Sequence, residues 1–325
     1  MKAAWYTQAG EARHVLTVGE LPTPTPGPGE VRVHLATSGV NPSDVKTRRR
    51  PPAFAEIIPH SDGAGHIDMV GDGVLPSRLA QRVWLWNGQW KRAMGTAAEY
   101  IIVPEAQAVV LPDQIDFAVG ACLGIPLLTA VRAVQLLGDV NGKTVLVTGA
   151  ASSVGNYVTQ LAVMRGARVI GTVGSEEKQR HATAAGAFAT IDYKQESVTE
   201  RIKALTDGRG VDAVVDMDLA TTVSYLRDDA IAPHGTVVCY GSTVTDNIVV
   251  PFVNFLYRSI DLRLFLVYEL LAQDRVEALA EVDKLLRDGQ LIHRIGARFS
   301  LGDIVAAHEA VETGKVMGNV VIDLA

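Results

Sequence analysis

The clearest candidate for binding chemistry is a run of small residues that follows an apolar strand pattern. Residues 144–148, Thr-Val-Leu-Val-Thr, lead into the segment 149–155, Gly-Ala-Ala-Ser-Ser-Val-Gly, and then into a helical pattern. A strand end, a tight turn and a helix N-terminus together attract pyrophosphate, because the first N–H groups of the helix are unpaired and its dipole is positive there. Of the three glycines in the pattern Gly-x-Gly-x-x-Gly only Gly155 remains, since Ala150 and Ser152 replace the other two. The segment predicts nucleotide binding, and an ordinary strand-to-helix turn is the alternative.

The end of the next predicted strand, residues 168–173, distinguishes between the two nicotinamide cofactors. NAD sites usually carry an acidic residue here, which accepts hydrogen bonds from the ribose hydroxyls. Gly174 occupies this position, Ser175 can donate to a phosphate, and Lys178 lies one helical turn further on. A neutral strand end with a nearby cation favours NADPH, although the two glutamates after Ser175 would repel its 2′-phosphate if they turned inward.

The elements that must position these residues fall into two kinds. The first 120 or so residues contain short strand patterns with glycine and proline between them, which predicts a small barrel-like β domain; the strands are expected at 31–36, 63–69, 82–86 and 99–103. From there strand and helix patterns alternate, which is the sequence form of a doubly wound parallel sheet. The helices are expected at 124–137, 154–165, 176–185, 196–206 and 274–288, and the strands at 144–148, 168–173, 189–191, 211–216, 236–240, 262–267 and 319–322.

Composition excludes several classes of protein. The chain has 325 residues, 48% hydrophobic and 20% charged, which is enough apolar material for a full core and excludes a mostly disordered chain. A net charge of −6 disfavours general nucleic-acid or anionic-membrane binding. Two cysteines, Cys122 and Cys239, cannot form a Cys-rich zinc site, and both are expected to be small buried hydrophobes. The N-terminus has no apolar signal segment, and Pro126 and Arg132 interrupt the most apolar window, so we expect a soluble cytoplasmic protein.

These motifs, in this order, carry a resemblance to a known family. The residues are Ser-Gly-Val-Asn-Pro-Ser-Asp-Val-Lys-Thr-Arg at 38–48, Asp-Gly-Ala-Gly at 62–65, Ala-Ala-Glu-Tyr at 97–100, Leu-Thr-Ala at 128–130, the turn at 148–155, and Gly-Thr-Val-Gly-Ser at 171–175. Over nearly its whole length the chain resembles the zinc-independent, zeta-crystallin-like quinone oxidoreductases of the medium-chain dehydrogenase/reductase superfamily.

The resemblance implies an α/β fold of two domains. A Rossmann domain, the doubly wound parallel sheet, would be inserted in a split, β-rich GroES-like catalytic domain. Residues 1–123 and 269–325 would form the catalytic domain and residues 124–268 the NADPH-binding domain, with the active site in the cleft between them. Family members pair through the edge of the Rossmann sheet, so a homodimer is expected, with strand 262–267 at the interface.

The resemblance also implies the site residues. The cofactor contacts carry over to Thr129 on the nicotinamide side, to Ala151, Ser153 and Val154 in the pyrophosphate turn, to Gly174, Ser175, Lys178 and Tyr193 around the adenosine 2′-phosphate, to the Gly241 loop, and to Phe265 and Val267 beside the nicotinamide. Asn41 is the main polar group at the substrate entrance, with Asp44, Lys46 and His60 as further substrate contacts. Lys46 replaces a frequent tyrosine, Ser152 replaces a glycine, and Asp218 is an unexpected acid near the cofactor.

Metal dependence is not expected. Zinc-dependent relatives need a cysteine ligand in the segment 38–44, a Gly-His-Glu near residue 60 and a four-cysteine lobe. The first segment has no cysteine, and His60 has no glutamate beside it. His60 with Asp44 or Asp62 is a poor set, since a catalytic zinc needs about three protein ligands. His60 is therefore expected to be a structural or pocket-lining histidine.

Without a Lewis acid, quinones and conjugated carbonyls are the suitable hydride acceptors, because their charge spreads into an oxyanion that hydrogen bonds can hold. The Asn41 amide and Lys46 are the candidate donors, while Asp44 as a helix cap and Lys46 as an exposed lysine are the plain alternatives. One alternative function is an enoyl or haloacrylate double-bond reductase, with Lys46 or Arg48 binding a carboxylate. A non-catalytic NADPH-binding redox sensor is another, and an RNA-associated protein is disfavoured by the acidic charge.

Overall fold

The computed structural model describes residues 1–225, 229–244 and 246–324, which form two compact units. Unit 1 comprises Met1–Leu127 and Leu285–Ala325, and unit 2 comprises Leu128–Lys284. The second boundary falls inside a long helix, Ala272–Asp288, rather than before it as the expected boundary at 268/269 has it. Two ion pairs join this helix to other residues of unit 2, Arg132–Asp274 at 2.7 Å and Arg165–Glu281 at 2.5 Å.

The strands in chain order are β1 (Lys2–Trp5), β2 (Thr17–Glu20), β3 (Glu30–Val40), β4 (Asp62–Val70), β5 (Arg82–Leu85), β6 (Tyr100–Pro104), β7 (Ala108–Val110), β8 (Thr144–Val147), β9 (Arg168–Val173), β10 (Ala189–Asp192), β11 (Val211–Asp216), β12 (Ile231–Cys239), β13 (Asp261–Leu264), β14 (Ile295–Ser300) and β15 (Asn319–Asp323). The helices are α1 (Ala12–Val15), α2 (Pro42–Arg48), α3 (Phe117–Gly120), α4 (Leu128–Leu137), α5 (Ser153–Met164), α6 (Glu176–Ala184), α7 (Val198–Leu205), α8 (Leu219–Thr222), α9 (Phe252–Arg258), α10 (Ala272–Asp288) and α11 (Ile304–Thr313).

Unit 1 is built on a seven-stranded sheet of order β14-β15-β3-β4-β5-β7, in which β6 also pairs with β3. The alternation expected at the start of β3 is confirmed: Val31, Val33 and Leu35 are buried, while His34 is exposed. One face of the strand can therefore pack on the core, as period-two patterning requires. The C-terminal strand β15 joins this sheet next to β3, so both ends of the chain build the β-rich, GroES-like unit.

Unit 2 contains a six-stranded sheet of order β10-β9-β8-β11-β12-β13, and all of its pairs are parallel. Strand β8 is buried at every position, as expected for a strand covered on both faces. The strand order reverses between β8 and β11, which is the Rossmann arrangement. Ligands of such sheets bind at this switch point, beside the carboxyl ends of the strands.

Local deviations from the expected elements have identifiable causes. The helix expected at 124–137 is divided: Leu123–Leu127 is a π-helical turn containing Pro126, and α4 follows it. Proline lacks the N–H needed for an α-helical bond, and Leu127 N donates to Cys122 O, five residues back, at 3.3 Å. Strand β13 ends at Leu264, before the expected 267, and a 3₁₀ turn begins at Val267. Several elements have no counterpart among the expected ones: strands β1, β2, β7 and β14 and helices α1, α2, α3, α8, α9 and α11.

Both cysteines are small buried residues, as expected. Cys122 donates to Ala118 O at 3.1 Å and Cys239 to Gly241 O at 3.1 Å. Burial raises the pKa of the Cys239 thiol to about 11, so this thiol stays protonated and unreactive at neutral pH. Among the described residues, no helix is both long and apolar enough to cross a bilayer.

Candidate active site

The turn after β8 has the close backbone approach that a phosphate-binding turn requires. A Cβ on Gly155 would stand 2.2 Å from the Gly149 carbonyl oxygen, so only glycine fits at this position. Gly149 itself has φ +63°, a conformation that favours glycine. The Ser152 hydroxyl caps α5 by accepting a hydrogen bond from Gly155 N at 3.0 Å. The replacement of a glycine by Ser152 therefore preserves the turn, because serine is a favoured N-cap residue.

The remaining residues of the predicted pyrophosphate turn lie at the start of α5. Ala151 is buried in the turn, while Ser153 and Val154 are half-buried in the first turn of α5. Their N–H groups have no acceptor within the helix, because the first four amides of an α-helix lack one. These amides and the helix dipole suit a pyrophosphate.

Beyond β9, a polar cluster surrounds Gly174 at the position of the acid in an NAD site. A Cβ on Gly174 would lie 2.7 Å from Tyr193 Oη and 3.1 Å from Lys194 Cε, so both side chains lie beside the strand end. Ser175 caps α6 by accepting from Lys178 N at 3.3 Å, which places Lys178 in the first turn of that helix. The sequence reasoning missed Lys194, although its place directly after Tyr193 was the available signal.

The glutamates that argued against a 2′-phosphate are on the surface of α6. Glu176 pairs with Arg180 at 2.7 Å, one turn along the helix, and both side chains are mostly exposed. This pair offsets the negative charge of Glu176. The cluster around Gly174 thus contains cationic and hydroxyl groups, which suit a phosphate.

Other predicted cofactor residues occupy the same unit. Thr129 is 5% exposed in the first turn of α4. Phe265 directly follows β13, and its ring centroid lies 6.4 Å from that of Tyr240. Val267 is buried, and its carbonyl accepts a hydrogen bond from Arg275 Nη2 at 2.7 Å. Gly241 directly follows Tyr240 at the carboxyl end of β12.

A buried carboxylate joins the ends of β8 and β11. Asp216 Oδ1 accepts hydrogen bonds from the Thr148 hydroxyl at 2.9 Å, from the Thr222 hydroxyl at 2.7 Å and from Asp218 N at 3.0 Å. Burial raises the pKa of Asp216, against the effect of these bonds. Because three donors converge on one oxygen, the two strand ends on either side of the switch point are held together.

In unit 1, Asn41 lies at the centre of a second polar cluster. It precedes α2, is 4% exposed, and its backbone N donates to Asp44 Oδ2 at 2.7 Å. Its side-chain Nδ2 donates to Asp62 Oδ2 at 2.8 Å. Burial raises the pKa of Asp44 to about 7, with hydrogen bonds from Asn41 opposing the shift. Burial also raises the pKa of Asp62 well above its ordinary value.

This cluster bears on the expected roles of Asp44 and Lys46. Asp44 is a helix-capping residue, which was the plain alternative, because its carboxyl completes a capping box with Asn41. Lys46 is exposed and lies two positions beyond Asp44 on α2, hence on the opposite side of the helix. The structure does not bring Lys46 to the Asn41–Asp62 pair, and its role as an oxyanion donor stays a prediction without support from its position.

His60 belongs to a buried hydrogen-bond chain. Arg48 Nε, which can only donate, lies 3.4 Å from His308 Nδ1, so His308 carries its proton on Nε2 and donates to His60 Nε2 at 2.9 Å. His60 then carries its proton on Nδ1 and donates to the Ser38 hydroxyl at 2.9 Å. Both ring nitrogens of His60 are occupied by protein groups and the residue is fully buried. The structure therefore favours a structural role for His60 over the expected substrate contact.

Arg48 is likewise committed to the protein. Its side chain is fully buried, pairs with Glu312 and donates to Gly10 O. Burial lowers its pKa, and the charge of Glu312 opposes the shift. The double-bond-reductase alternative has Arg48 as a possible ligand of a substrate carboxylate. Arg48 is unsuited to that role, because its guanidinium is buried and paired within the protein. Arg49 also pairs with Glu312, at 3.2 Å, which reduces the local basic charge of this segment.

A Rossmann unit with a glycine-dependent turn at its switch point, together with a GroES-like β unit, defines the two-domain dehydrogenases and reductases. Comparisons with known proteins agree. The family described as "Alcohol dehydrogenase GroES-like domain" matches residues 27–113, and the family described as "Zinc-binding dehydrogenase" matches residues 153–284. The chain is 31% identical to a quinone oxidoreductase of Pseudomonas aeruginosa over 307 residues, covering 91% of this chain and 92% of the relative. It is 30% identical to human quinone oxidoreductase over 231 residues, 70% of this chain and 68% of that protein.

Solved structures show the same similarity. A structure described as an NAD-dependent alcohol dehydrogenase matches with a TM-score of 0.89 and 30% identity, covering 100% of both chains. A quinone oxidoreductase of Pseudomonas syringae matches with a TM-score of 0.89 and 28% identity over 99% of each chain. A mycobacterial protein complexed with NADPH matches with a TM-score of 0.87 and 28% identity over 100% of both chains. The chain belongs to the quinone oxidoreductase family of the medium-chain dehydrogenase/reductase superfamily, and it is an oxidoreductase.

Zinc appears in the name of one matching family, but the described residues offer no donor set for it. Within the described ranges, no group of three or more His, Cys, Asp or Glu side chains is arranged to hold a metal. Asp44 and Asp62 hydrogen-bond to Asn41, and both nitrogens of His60 are engaged. These residues do not fit a catalytic zinc, which needs about three free protein ligands.

Proposed function

We propose that this enzyme transfers hydride from NADPH to a quinone or a similar conjugated carbonyl, without a metal. The observation that carries the cofactor assignment is the cluster around Gly174. An acidic residue is missing there, and the hydroxyls of Ser175 and Tyr193 with the cations of Lys178 and Lys194 provide groups for a 2′-phosphate. The NADPH complex of the mycobacterial neighbour supports this proposal.

Separate groups of residues would bind the pyrophosphate and the nicotinamide end of the cofactor. Ala151, Ser153 and Val154 would hold the pyrophosphate at the start of α5, and Thr129, Phe265, Val267 and the Gly241 loop would hold the nicotinamide end. When bound, NADPH supplies the hydride, and the protein contributes positioning and electrostatics.

On the acceptor side, Asn41 is the proposed donor to the oxyanion that forms when the acceptor takes the hydride. Its side-chain amide already donates to Asp62, which fixes the orientation of the side chain. A preorganised donor is effective because it does not have to reorient as charge develops. Asn41→Ala is expected to lower kcat/KM by about tenfold or more with NADPH affinity unchanged. A loss of NADPH affinity in this variant would instead place Asn41 at the cofactor.

The test is oxidation of NADPH and NADH at 340 nm, with a chelator present, against 1,4-benzoquinone, 9,10-phenanthrenequinone, a simple enone and an acrylate. Turnover of quinones with NADPH supports the proposal. Turnover of the enone or acrylate alone favours the double-bond reductase, and binding without turnover favours the redox sensor. Activity that requires added zinc would refute the metal-free mechanism.

Cofactor choice has its own matched variants. Lys194→Ala is expected to raise the KM for NADPH and leave the KM for NADH unchanged, because only NADPH carries the 2′-phosphate. Lys203→Ala is the control, since Lys203 lies on α7 and pairs with Glu200 at 3.8 Å. Equal effects of the two substitutions would contradict the assignment.

We also propose a homodimer, formed by edge strand β13 of two copies. β13 lies at the edge of the parallel sheet, and its surroundings expose large apolar side chains, including Leu264 at 65% and Leu271 at 72%. An apolar strand edge left open is an aggregation liability, which pairing removes. Light scattering that shows a monomer at micromolar concentration would refute this. The cytoplasmic location stays a prediction, which cell fractionation would test.

A further inference from the structure

Asp218 links two turns at the carboxyl edge of the parallel sheet. It follows β11, and its Oδ1 accepts from Thr243 N at 2.7 Å and from the Ser242 hydroxyl at 3.2 Å, both in the loop after β12. Its Oδ2 accepts from the Thr221 hydroxyl at 2.7 Å, and the Thr243 hydroxyl lies 3.0 Å from both oxygens. One side chain therefore ties the loop after β12 to the turn after β11.

The bonds of Asp218 show that it acts on the loop rather than on a ligand. A carboxylate has about four acceptor positions, and four donors of the protein occupy them. No acceptor position remains for a ribose hydroxyl. Burial acts to raise the pKa of Asp218, but the hydrogen bonds from Thr243, Thr221 and Ser242 outweigh it and hold the pKa below its ordinary value. The charged form that makes these bonds is thus the one present at neutral pH.

The loop that Asp218 holds begins at Gly241, one of the residues proposed to face the nicotinamide end. Gly241 packs closely on the neighbouring turn: its carbonyl accepts from Leu219 N at 3.2 Å, and a Cβ on it would lie 2.8 Å from Met217 O. These contacts fix only the first residue of the loop. Asp218 fixes the next two, so the loop has a defined backbone through Thr243.

We propose that Asp218 is a positioning residue for the nicotinamide half of NADPH, acting through the backbone of residues 241–243. The inference rests on the proposed function, because it supposes that this enzyme binds NADPH. The adenosine half would be bound by other elements, the ends of β9 and β10. Substitution of Asp218 is therefore expected to weaken binding of the nicotinamide half more than binding of the adenosine half.

The experiment measures dissociation constants of the full-length protein for NADPH and for two fragments by calorimetry. Reduced nicotinamide mononucleotide reports on the nicotinamide half, and adenosine 2′,5′-bisphosphate reports on the other. Asp218→Ala is expected to lower the affinity for NADPH and for the mononucleotide by about tenfold or more, since it removes charged hydrogen bonds that order the loop. The bisphosphate is expected to bind within about twofold of wild type.

Two further variants complete the design. Asp218→Asn keeps one oxygen to accept from Thr243 N, so it should restore part of the lost affinity. Thr221→Val removes one donor to Asp218 but keeps the bonds to the loop, and it should bind all three ligands nearly as wild type does. Wild-type affinity for NADPH in Asp218→Ala would overturn the inference. It would also be overturned if both Asp218 variants bound the bisphosphate as much more weakly as they bind the mononucleotide. If wild-type protein bound neither NADPH nor the bisphosphate, the proposed function itself would fall.

Discussion

Replacing Asp44 by asparagine should make the stability of unit 1 depend differently on pH. In the native protein the pKa of Asp44 is raised from 3.8 to about 7 by burial. A carboxyl whose native pKa exceeds its unfolded pKa stabilises the fold when protonated, so its contribution is complete below pH 3.8 and is lost as pH rises through 7. Asparagine keeps an oxygen that can accept from Asn41 N, but it has no proton to lose.

The magnitude follows from the two pKa values. At pH 8 the carboxyl is ionised in both states and contributes nothing through this linkage. At pH 5 the native carboxyl is protonated and the unfolded one ionised, a difference of about 3 kcal/mol in favour of the native state. The stability difference between wild type and Asp44→Asn should therefore change by about 3 kcal/mol between pH 5 and pH 8, with the variant relatively more stable at pH 8.

Tryptophan fluorescence can follow this unit selectively. The four tryptophans of the chain, Trp5, Trp84, Trp86 and Trp90, all belong to unit 1. Urea unfolding monitored by their emission at pH 5, 6, 7 and 8 gives the free energy of unfolding for each protein. Asp113→Asn is the control, since the side chain of Asp113 is 98% exposed and should show no such trend. A difference between wild type and Asp44→Asn that stays constant across this range would refute the reasoning.

Three other substitutions test separate features. Gly155→Ala should abolish measurable NADPH binding in titrations, since its Cβ would meet backbone at 2.2 Å; Gly302→Ala, whose Cβ would meet only a serine hydroxyl at 3.5 Å, should bind normally. Burial and the charge of Arg48 lower the pKa of His308 to about 3. The unfolded chain therefore binds this proton first, so the free energy of unfolding is unaffected by His308 above pH 6.5 and falls as pH drops towards 3. Between pH 6.5 and pH 5, the free energy of unfolding of His308→Gln, measured in urea, should fall by about 2 kcal/mol less than that of the wild type. An equal fall in both proteins would contradict the assignment of His308 as a neutral, buried histidine. Leu264→Arg should yield monomers in light scattering if β13 pairs two copies, and a dimer unaffected by this charge would place the interface elsewhere.

Local patterns predicted the elements well where burial follows a simple period. The alternation at the start of β3 and the unbroken apolar run of β8 identified their faces correctly, because pleating and two-sided burial leave direct traces in the sequence. The division of the helix near Pro126 shows the limit of this reading. Periodicity continues through the segment, but the missing proline N–H changes the bonding pattern to the π form.

The candidate sites depended more on pairings that the sequence does not display. His60 and His308 are 248 residues apart, so nothing near either residue indicates that they share a hydrogen bond. Asp218 stood out only as an unexpected acid, and its partners Ser242 and Thr243 lie on another loop. Gly155, in contrast, was identified correctly because its requirement arises within one turn and the helix that follows it.

The pairing of β15 with β3 has a consequence for synthesis of the chain. Residues 38–40 of β3 bond to residues 320–322, which leave the ribosome only after all of unit 2. Until then that stretch of β3 has an open hydrogen-bonding edge, and open edges recruit other chains. Unit 2, which is one continuous segment, can fold earlier, and its folding shortens the flexible loop that unit 1 must close. A truncation that removes β15 should therefore cause aggregation of nascent unit 1, while unit 2 still reaches its folded state.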